Sequence, residues 1–295
     1  MTAPLVEIAV DGGAGLGFGH ISRSKVLARA LREAGAQVRF DPRSETARAG
    51  LGDDPGAAGQ SGVLVLDLPY ADDAAIKAAR AAGRPVAVLD HTGAAEADLA
   101  IRTDPRRLPM AAKRCEYGLA YAMIRREILE QPVSEEGHVL ICVGGSDLGD
   151  LGVAAARKLA GAGERVVLVR GPLAEPLKRA PDGVDVRVSP PNLPALMAGC
   201  RFAVTNAGTT ALECMALGKP VHVLAQTEGE LATAERFLAD GIILGLGLDA
   251  LASPAPEHAA RVAVAGRAQV DGRGAERVAA LVLGLFQEGA RRAPV

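Results

Sequence analysis

Short, unbroken apolar runs rich in β-branched residues alternate with helical patterns along the whole chain, and that alternation leaves few folds open. In the first half the runs are Leu5–Val10, Gln37–Phe40, Gly62–Leu66, Pro85–Leu89 and Asp98–Arg102. In the second half they are His138–Val143, Arg165–Val169, Val184–Val188, Phe202–Thr205, Pro220–Leu224 and Ile242–Leu246. Runs that are continuous, and not alternating with polar residues, suit parallel strands covered by helices on both faces. Helical patterns occupy Ile21–Ala34, Asp72–Ala82, Leu148–Ala160, Thr209–Leu217 and Glu230–Ala239. Several stop at Gly35, Gly83, Gly161, Gly218 or Gly241, where glycine supplies the left-handed residue just past a helix. This βαβ rhythm predicts an α/β fold made of doubly wound parallel sheets.

A chain of 295 residues exceeds the usual single core and suits two domains. The hinge is expected in Arg125–Gly137, where the polar, proline-bearing stretch from Gln131 to Gly137 precedes a new apolar run. The predicted domains are therefore residues 1–130 and 131–295. A second break, Gly50–Gly62, reads as a surface loop. With 33 basic and 35 acidic side chains the net charge is −2, and no Lys/Arg block is present, so a nucleic-acid partner is not expected. Any affinity for phosphate must be local. No stretch of 18 apolar residues suggests a membrane helix, and no leader is evident, so a cytoplasmic monomer is the expectation. The four cysteines, Cys115, Cys142, Cys200 and Cys214, lack metal-ligand spacing, so a zinc site is not expected, and no cofactor is expected either.

Three strand–glycine–helix junctions carry the chemistry. The first runs from Asp11 through Gly12, Gly13, Gly15, Gly17 and Gly19 to His20, opening a long helix. Closely spaced glycines let a ligand approach the backbone, and a helix start offers unpaired N–H groups and positive potential. The spacing is not that of a dinucleotide fingerprint. His20 could be a capping or solvated residue; its place at the carboxyl edge of a parallel sheet, where α/β ligand crevices form, favours a catalytic role. Asp67 and the pair Asp90–His91 end strands at the same edge and could orient a histidine, bind sugar hydroxyls, or close Asx-turns.

The second junction is Val143-Gly144-Gly145-Ser146-Asp147, either a phosphate loop or a turn with Ser146 or Asp147 as N-cap. The third is Asn206-Ala207-Gly208-Thr209-Thr210, with Glu213 one turn further on. Gly208, Thr209 and Thr210 can donate to phosphate oxygens, and Glu213 is placed to meet a ribose. N-capping by a threonine is the simpler alternative.

Together these stretches resemble the UDP-sugar hydrolase family of pseudaminic acid biosynthesis, over nearly the whole chain. Leu16-Gly17-Phe18-Gly19-His20-Ile21-Ser22-Arg23 is similar to that family's I-G-x-G-H-x-x-R signature, and Tyr117–Arg125 to its G-x-x-Y-A-L-I-R segment. The Gly144–Asp147 turn matches G-G-[ST]-D, Asn206–Pro220 resembles its UDP-gripping helix, and Asp271–Arg277 resembles its closing D-G-x-G-A-x-R. Two places depart. Asp67-Leu68-Pro69-Tyr70 keeps the aspartate of D-H-Y-G but loses its histidine and glycine, and Glu228-Gly229-Glu230 stands where the family has Asn-Gln.

The resemblance implies a glycosyltransferase-B type fold, shared with MurG-type transferases, whose two Rossmann-like domains face a cleft. It also implies release of UDP from a UDP-2,4-diacetamido-2,4,6-trideoxyhexose. On this reading His20 is the general base, with Asp11 or Asp67 orienting it. Gly17, Gly19, Arg23, Tyr70, Gly145, Ser146, Asn206, Gly208, Thr209, Thr210 and Glu213 bind the UDP-sugar, and the uracil lies near Pro190–Leu193. Two other readings remain open: a transferase with an acceptor hydroxyl in place of water, and a non-catalytic nucleotide-sugar binder.

Overall fold

The computed structural model describes residues 3–13, 18–52, 62–134, 137–145, 147–171 and 174–292. The chain forms two compact units, one comprising the chain up to Met123 together with the segment from Arg273 onward, the other Ile124–Gly272.

In chain order the first unit contributes β1 (Leu5–Val10), α1 (Gly19–Glu33), β2 (Gln37–Pro42), α2 (Glu45–Leu51), β3 (Val63–Asp67), α3 (Asp73–Ala81), β4 (Val86–Leu89), β5 (Ala97–Arg102) and β6 (Ala112–Tyr117). The second contributes α4 (Arg126–Leu129), β7 (His138–Cys142), α5 (Leu151–Gly161), β8 (Val166–Arg170), β9 (Val184–Val188), α6 (Leu193–Gly199), β10 (Cys200–Thr205), α7 (Thr209–Ala216), β11 (Val221–Val223), α8 (Glu228–Ala239), β12 (Gly245–Leu246) and α9 (Pro256–Gln269). The last helix, α10 (Gly274–Arg292), returns to the first unit.

Each sheet has six strands, ordered β2-β1-β3-β4-β5-β6 and β12-β11-β10-β7-β8-β9, and every pairing is parallel. The central strands β3, β4, β7 and β8 are buried at every position, as unbroken apolar runs between two helical layers require. In each sheet the order reverses once, between β1 and β3 and between β7 and β10. A doubly wound sheet opens its crevice beyond the carboxyl ends of the strands at such a reversal.

The expected boundary at residues 130/131 differs from the division seen. The units part after Met123, and residues from Arg273 onward rejoin the first. The cause lies in α10, where Ala275, Val278, Ala279, Val282 and Leu285 repeat at helical spacing and share a core with Leu27, Ala28 and Leu31 of α1 and Val6 and Ile8 of β1. Burying one such leucine or valine is worth roughly 1.5–3 kcal/mol. Gly274 starts this helix so close to the chain that a Cβ there would lie 2.1 Å from Ala122 O. Arg277 Nη1 donates to Ala120 O at 2.9 Å, so the Tyr117–Arg125 and Asp271–Arg277 stretches meet in space. Helix α2, edge strand β6, and helices α6, α9 and α10 were not foreseen. The β6 strand has an exposed, charged centre at Lys113 and Arg114, without the apolar run used to find strands.

Candidate functional site

In the first unit, β1 delivers Asp11, Gly12 and Gly13 to the reversal point, and β3 delivers Asp67. Helix α1 begins at Gly19 after Phe18, which provides no side-chain cap, so the capping role considered for His20 is not the one it plays. The His20 side chain is 21% exposed, and its Nδ1 lies 2.7 Å from Oδ1 of the fully buried Asp67. Burial alone would push the Asp67 carboxyl up; the Arg23 charge and the hydrogen bonds from His20 and Arg23 outweigh it and bring it down to about 2. An ionised carboxylate only accepts, so the contact places a proton on Nδ1, and in the neutral imidazole the lone pair is then on Nε2.

Arg23, one turn along α1, holds the carboxylate from the other side. Its Nε donates to Asp67 Oδ2 at 3.1 Å, its Nη2 to Asp67 Oδ1, and its Nη1 to Asp90 Oδ2. Ser24 Oγ completes the cage at 2.9 Å. The 3.2 Å approach of Arg23 Nη2 to His20 Nδ1 brings together two donors that share one acceptor oxygen. Arg23, expected among the substrate-binding residues, thus has its guanidinium committed to two aspartates.

Asp11, expected beside His20 as a possible orienting group, is engaged elsewhere. Tyr70 Oη donates to its Oδ2 at 2.9 Å, Ser44 Oγ to its Oδ1 at 2.6 Å, and Gly12 N to the same oxygen at 2.8 Å. Burial raises the Asp11 carboxyl, but these three donors and the Arg43 charge bring it below its ordinary value. The Tyr70 hydroxyl is pushed up to about 12 by burial and by Asp11. The Asp11–Tyr70 bond ties the loop after β1 to the loop after β3 across the reversal. Gly19 is the exposed first residue of α1, and Gly17 lies outside the described residues.

In the second unit, β7 and β10 bring their following loops together. Helix α7 begins after Gly208 with no side-chain cap and no acidic residue in its first turn, which contains Thr209 and Thr210. The capping role considered for the threonines is therefore not used, and the positive end of the helix has neither a side-chain cap nor a first-turn carboxylate against it. Glu213 is buried on the same helix, and its carboxylate takes a two-pronged grip from Arg125, Nε to Oε1 at 2.6 Å and Nη2 to Oε2 at 2.9 Å. Asn206 donates from Nδ2 to Glu230 Oε1 at 2.6 Å, and Glu230 Oε2 accepts from Gln226 N at 2.7 Å. Thr227 caps α8 by accepting from Glu230 N at 3.2 Å, which fixes Glu230 in place.

The β7–α5 loop behaves differently from α7. Gly145 is exposed, and Ser146 lies outside the described residues. Asp147 is buried with its Oδ1 accepting from Gly152 N at 2.8 Å, so the first-turn amide of α5 is already occupied by the protein's own carboxylate. Burial pushes the Asp147 carboxyl up, against the pull of Gly152 N–H and Arg170.

Arg125, Gln226 and Arg170 were missed by sequence reasoning. Gln226 closely follows β11 at the same sheet edge as Asn206, so the rule that strand ends carry ligand groups could have found it. Nothing in the sequence pairs Arg125 with Glu213, which lie 88 residues apart. Cys142 and Cys200 are buried thiols pushed up to about 12 by desolvation, which makes them poor nucleophiles. Among the described residues no helix is long and apolar enough to cross a membrane.

No protein-family model and no curated protein matches this chain in sequence. Solved structures do resemble it. MurG of Acinetobacter baumannii superposes with a TM-score of 0.63 at 14% identity, covering 96% of this chain and 100% of that one. The calicheamicin glycosyltransferase CalG4 gives 0.62 at 15% identity, with 100% of both chains covered. A putative UDP-N-acetylglucosamine 2-epimerase from Listeria monocytogenes gives 0.62 at 13% identity, covering 97% and 98%. At such identities the likeness establishes architecture: the chain has the glycosyltransferase-B fold.

Proposed function

We propose that this protein is a UDP-sugar hydrolase acting on a UDP-linked diacetamido-trideoxyhexose, with water activated by His20. The observation that carries the reading is the 2.7 Å contact between His20 Nδ1 and buried Asp67, which leaves Nε2 as a proton acceptor on a solvent-accessible ring. Two things support the substrate class. One is the resemblance of the sequence to that hydrolase family, and the other is the likeness in fold to the putative UDP-N-acetylglucosamine 2-epimerase of Listeria monocytogenes.

On this reading the second unit holds the nucleotide. The uncapped start of α7 at Gly208, Thr209 and Thr210 receives the diphosphate, with Gly145 on its other side. Glu213, oriented by Arg125, accepts from the ribose hydroxyls, and Asn206 with Glu230 faces the sugar. In the first unit, Tyr70 and Gly19 flank the base. Nε2 of His20 takes a proton from water as its oxygen bonds the anomeric carbon. The bond from that carbon to the phosphate oxygen breaks, and UDP leaves with the electron pair. The positive end of α7 stabilises the charge developing on the departing phosphate.

A second reading has one specific support: several of the solved structures with this fold, CalG4 and SnogD among them, are glycosyltransferases. In that case His20 deprotonates an acceptor hydroxyl. Incubation with UDP-diacetamido-sugars and no acceptor separates the readings. Free sugar and UDP in equal amounts support the hydrolase, turnover only with an added acceptor supports the transferase, and UDP binding without turnover leaves a nucleotide-sugar binder.

A further inference from the structure

Left-handed backbone recurs at four described residues of the loop between β7 and α5. Gly144, Asp147, Gly149 and Asp150 have φ of 67°, 47°, 68° and 53°. A left-handed conformation is disfavoured for a residue with a side chain, and here both aspartates are held in it by their hydrogen-bonding surroundings. The holder is Arg170, the last residue of β8. Its side chain is 3% exposed, and its Nη1 lies 2.8 Å from both Asp147 Oδ2 and Asp150 Oδ1. Its Nη2 donates to Glu175 O at 2.6 Å. A buried guanidinium–carboxylate pair adds little net stability over an apolar pair of the same volume, so its value is positional.

The next residue acts on the same loop through its backbone. A Cβ on Gly171 would stand 2.3 Å from Gly145 O and 2.5 Å from Gly145 Cα. Both atoms are main chain, so no side-chain rotation relieves the clash.

We infer that Arg170–Gly171 sets the β7–α5 loop for the diphosphate, with Arg170 as a positioning residue and Gly171 as the contact that fixes how far Gly145 projects. The inference rests on the assignment of the nucleotide to the second unit. A pair of residues outside the proposed nucleotide contacts thereby decides phosphate affinity, because Gly145 can approach a phosphate only where Gly171 lets it sit.

The test compares Gly171→Ala and Arg170→Lys with the wild type for binding of UDP and of uridine by NMR titration, alongside melting temperature and amide exchange at Gly144 and Gly145. Both variants are expected to weaken UDP about tenfold or more while leaving uridine within about twofold, since a misplaced loop affects only the phosphates. Exchange at the two glycine amides should quicken while β10 stays protected. A general loss of structure would weaken UDP and uridine in parallel, and that result overturns the inference. Undiminished UDP binding in folded Gly171→Ala overturns it too, and Arg170→Lys gives the same readout if the alanine variant does not fold. A wild type that binds no UDP removes the nucleotide assignment and this inference together; failure in the variants alone removes only the inference.

Discussion

His20 and Asp67 are brought together by topology, since one opens the helix after β1 and the other ends β3, its neighbour across the reversal of strand order. The 2.7 Å bond between them fixes the imidazole tautomer, and Arg23 fixes the carboxylate. His20→Ala removes the proposed proton acceptor and should lower UDP-sugar turnover by ~100-fold or more. UDP affinity, which the proposed function assigns to the second unit, should be unchanged by calorimetry. Equal loss of both would mean that His20 is structural.

Asp67→Asn should act on stability as well as on rate. The amide keeps the shape but leaves the buried Arg23 charge with Asp90 as its remaining carboxylate, and breaking a buried pair costs about 3–5 kcal/mol. Chemical denaturation should show that loss, and turnover should fall with it because the imidazole loses its orienting acceptor.

The same carboxylate gives a signed pH dependence. Asp67 titrates at about 2 in the fold, against ~3.9 for an ordinary aspartate. The folded value is the lower one, so its stabilisation is nearly complete above pH ~4 and is lost as pH falls through ~2, about 3 kcal/mol in all. Melting temperature measured from pH 5 to pH 2 should fall more steeply for the wild type than for Asp67→Asn. Parallel slopes would place the acid sensitivity in other carboxylates.

The legible part of this architecture was set by local pattern, and the illegible part by long-range pairing. Leu5–Val10 and Val184–Val188 coincide with β1 and β9 to the residue, the first because a mainly apolar run suits a central parallel strand, the second because the alternation Val-Asp-Val-Arg-Val suits a half-exposed edge strand. The glycine–histidine and Gly208–Thr210 junctions were readable for the same reason, since a strand end meeting a helix start is visible in sequence. Which partner each site residue takes was not readable. Arg23 and Tyr70 could each face substrate by position, yet Asp90 and Asp11 claim them through contacts 67 and 59 residues distant. The return of α10 to the first unit was hidden likewise, because an amphipathic helix carries no mark of the core it will cover.

Glu213 offers a test at the ribose. Hydrogen bonds to a charged group are worth about 1.5–3 kcal/mol, so Glu213→Ala should weaken UDP by roughly ten- to a hundredfold. The 2′,3′-dideoxy analogue has no hydroxyls for this carboxylate and should bind the wild type and the variant alike. Arg125→Ala should reproduce part of the effect by freeing the Glu213 carboxylate from its two-pronged grip. If the dideoxy analogue loses as much affinity as UDP, Glu213 supports the fold of the second unit and does not contact the ribose.

Gly274 is where the chain re-enters the first unit, and its replacement separates the stability of that unit from the nucleotide site. A Cβ would stand 2.1 Å from Ala122 O and 2.6 Å from Ala122 C and Tyr121 C, all backbone atoms. Relief requires α10 to slide, which disturbs Ala275, Val278 and Ala279 in the core they share with α1. Overpacking of this kind costs about 1–3 kcal/mol. Gly274→Ala should therefore speed amide exchange in α1, β1 and α10 while leaving β7, β10 and α7 protected. UDP affinity should be retained, because the residues assigned to the nucleotide belong to the second unit and α10 to the first. Loss of UDP binding in a variant whose second unit still resists exchange would show that the nucleotide depends on the first unit more than this division of labour allows.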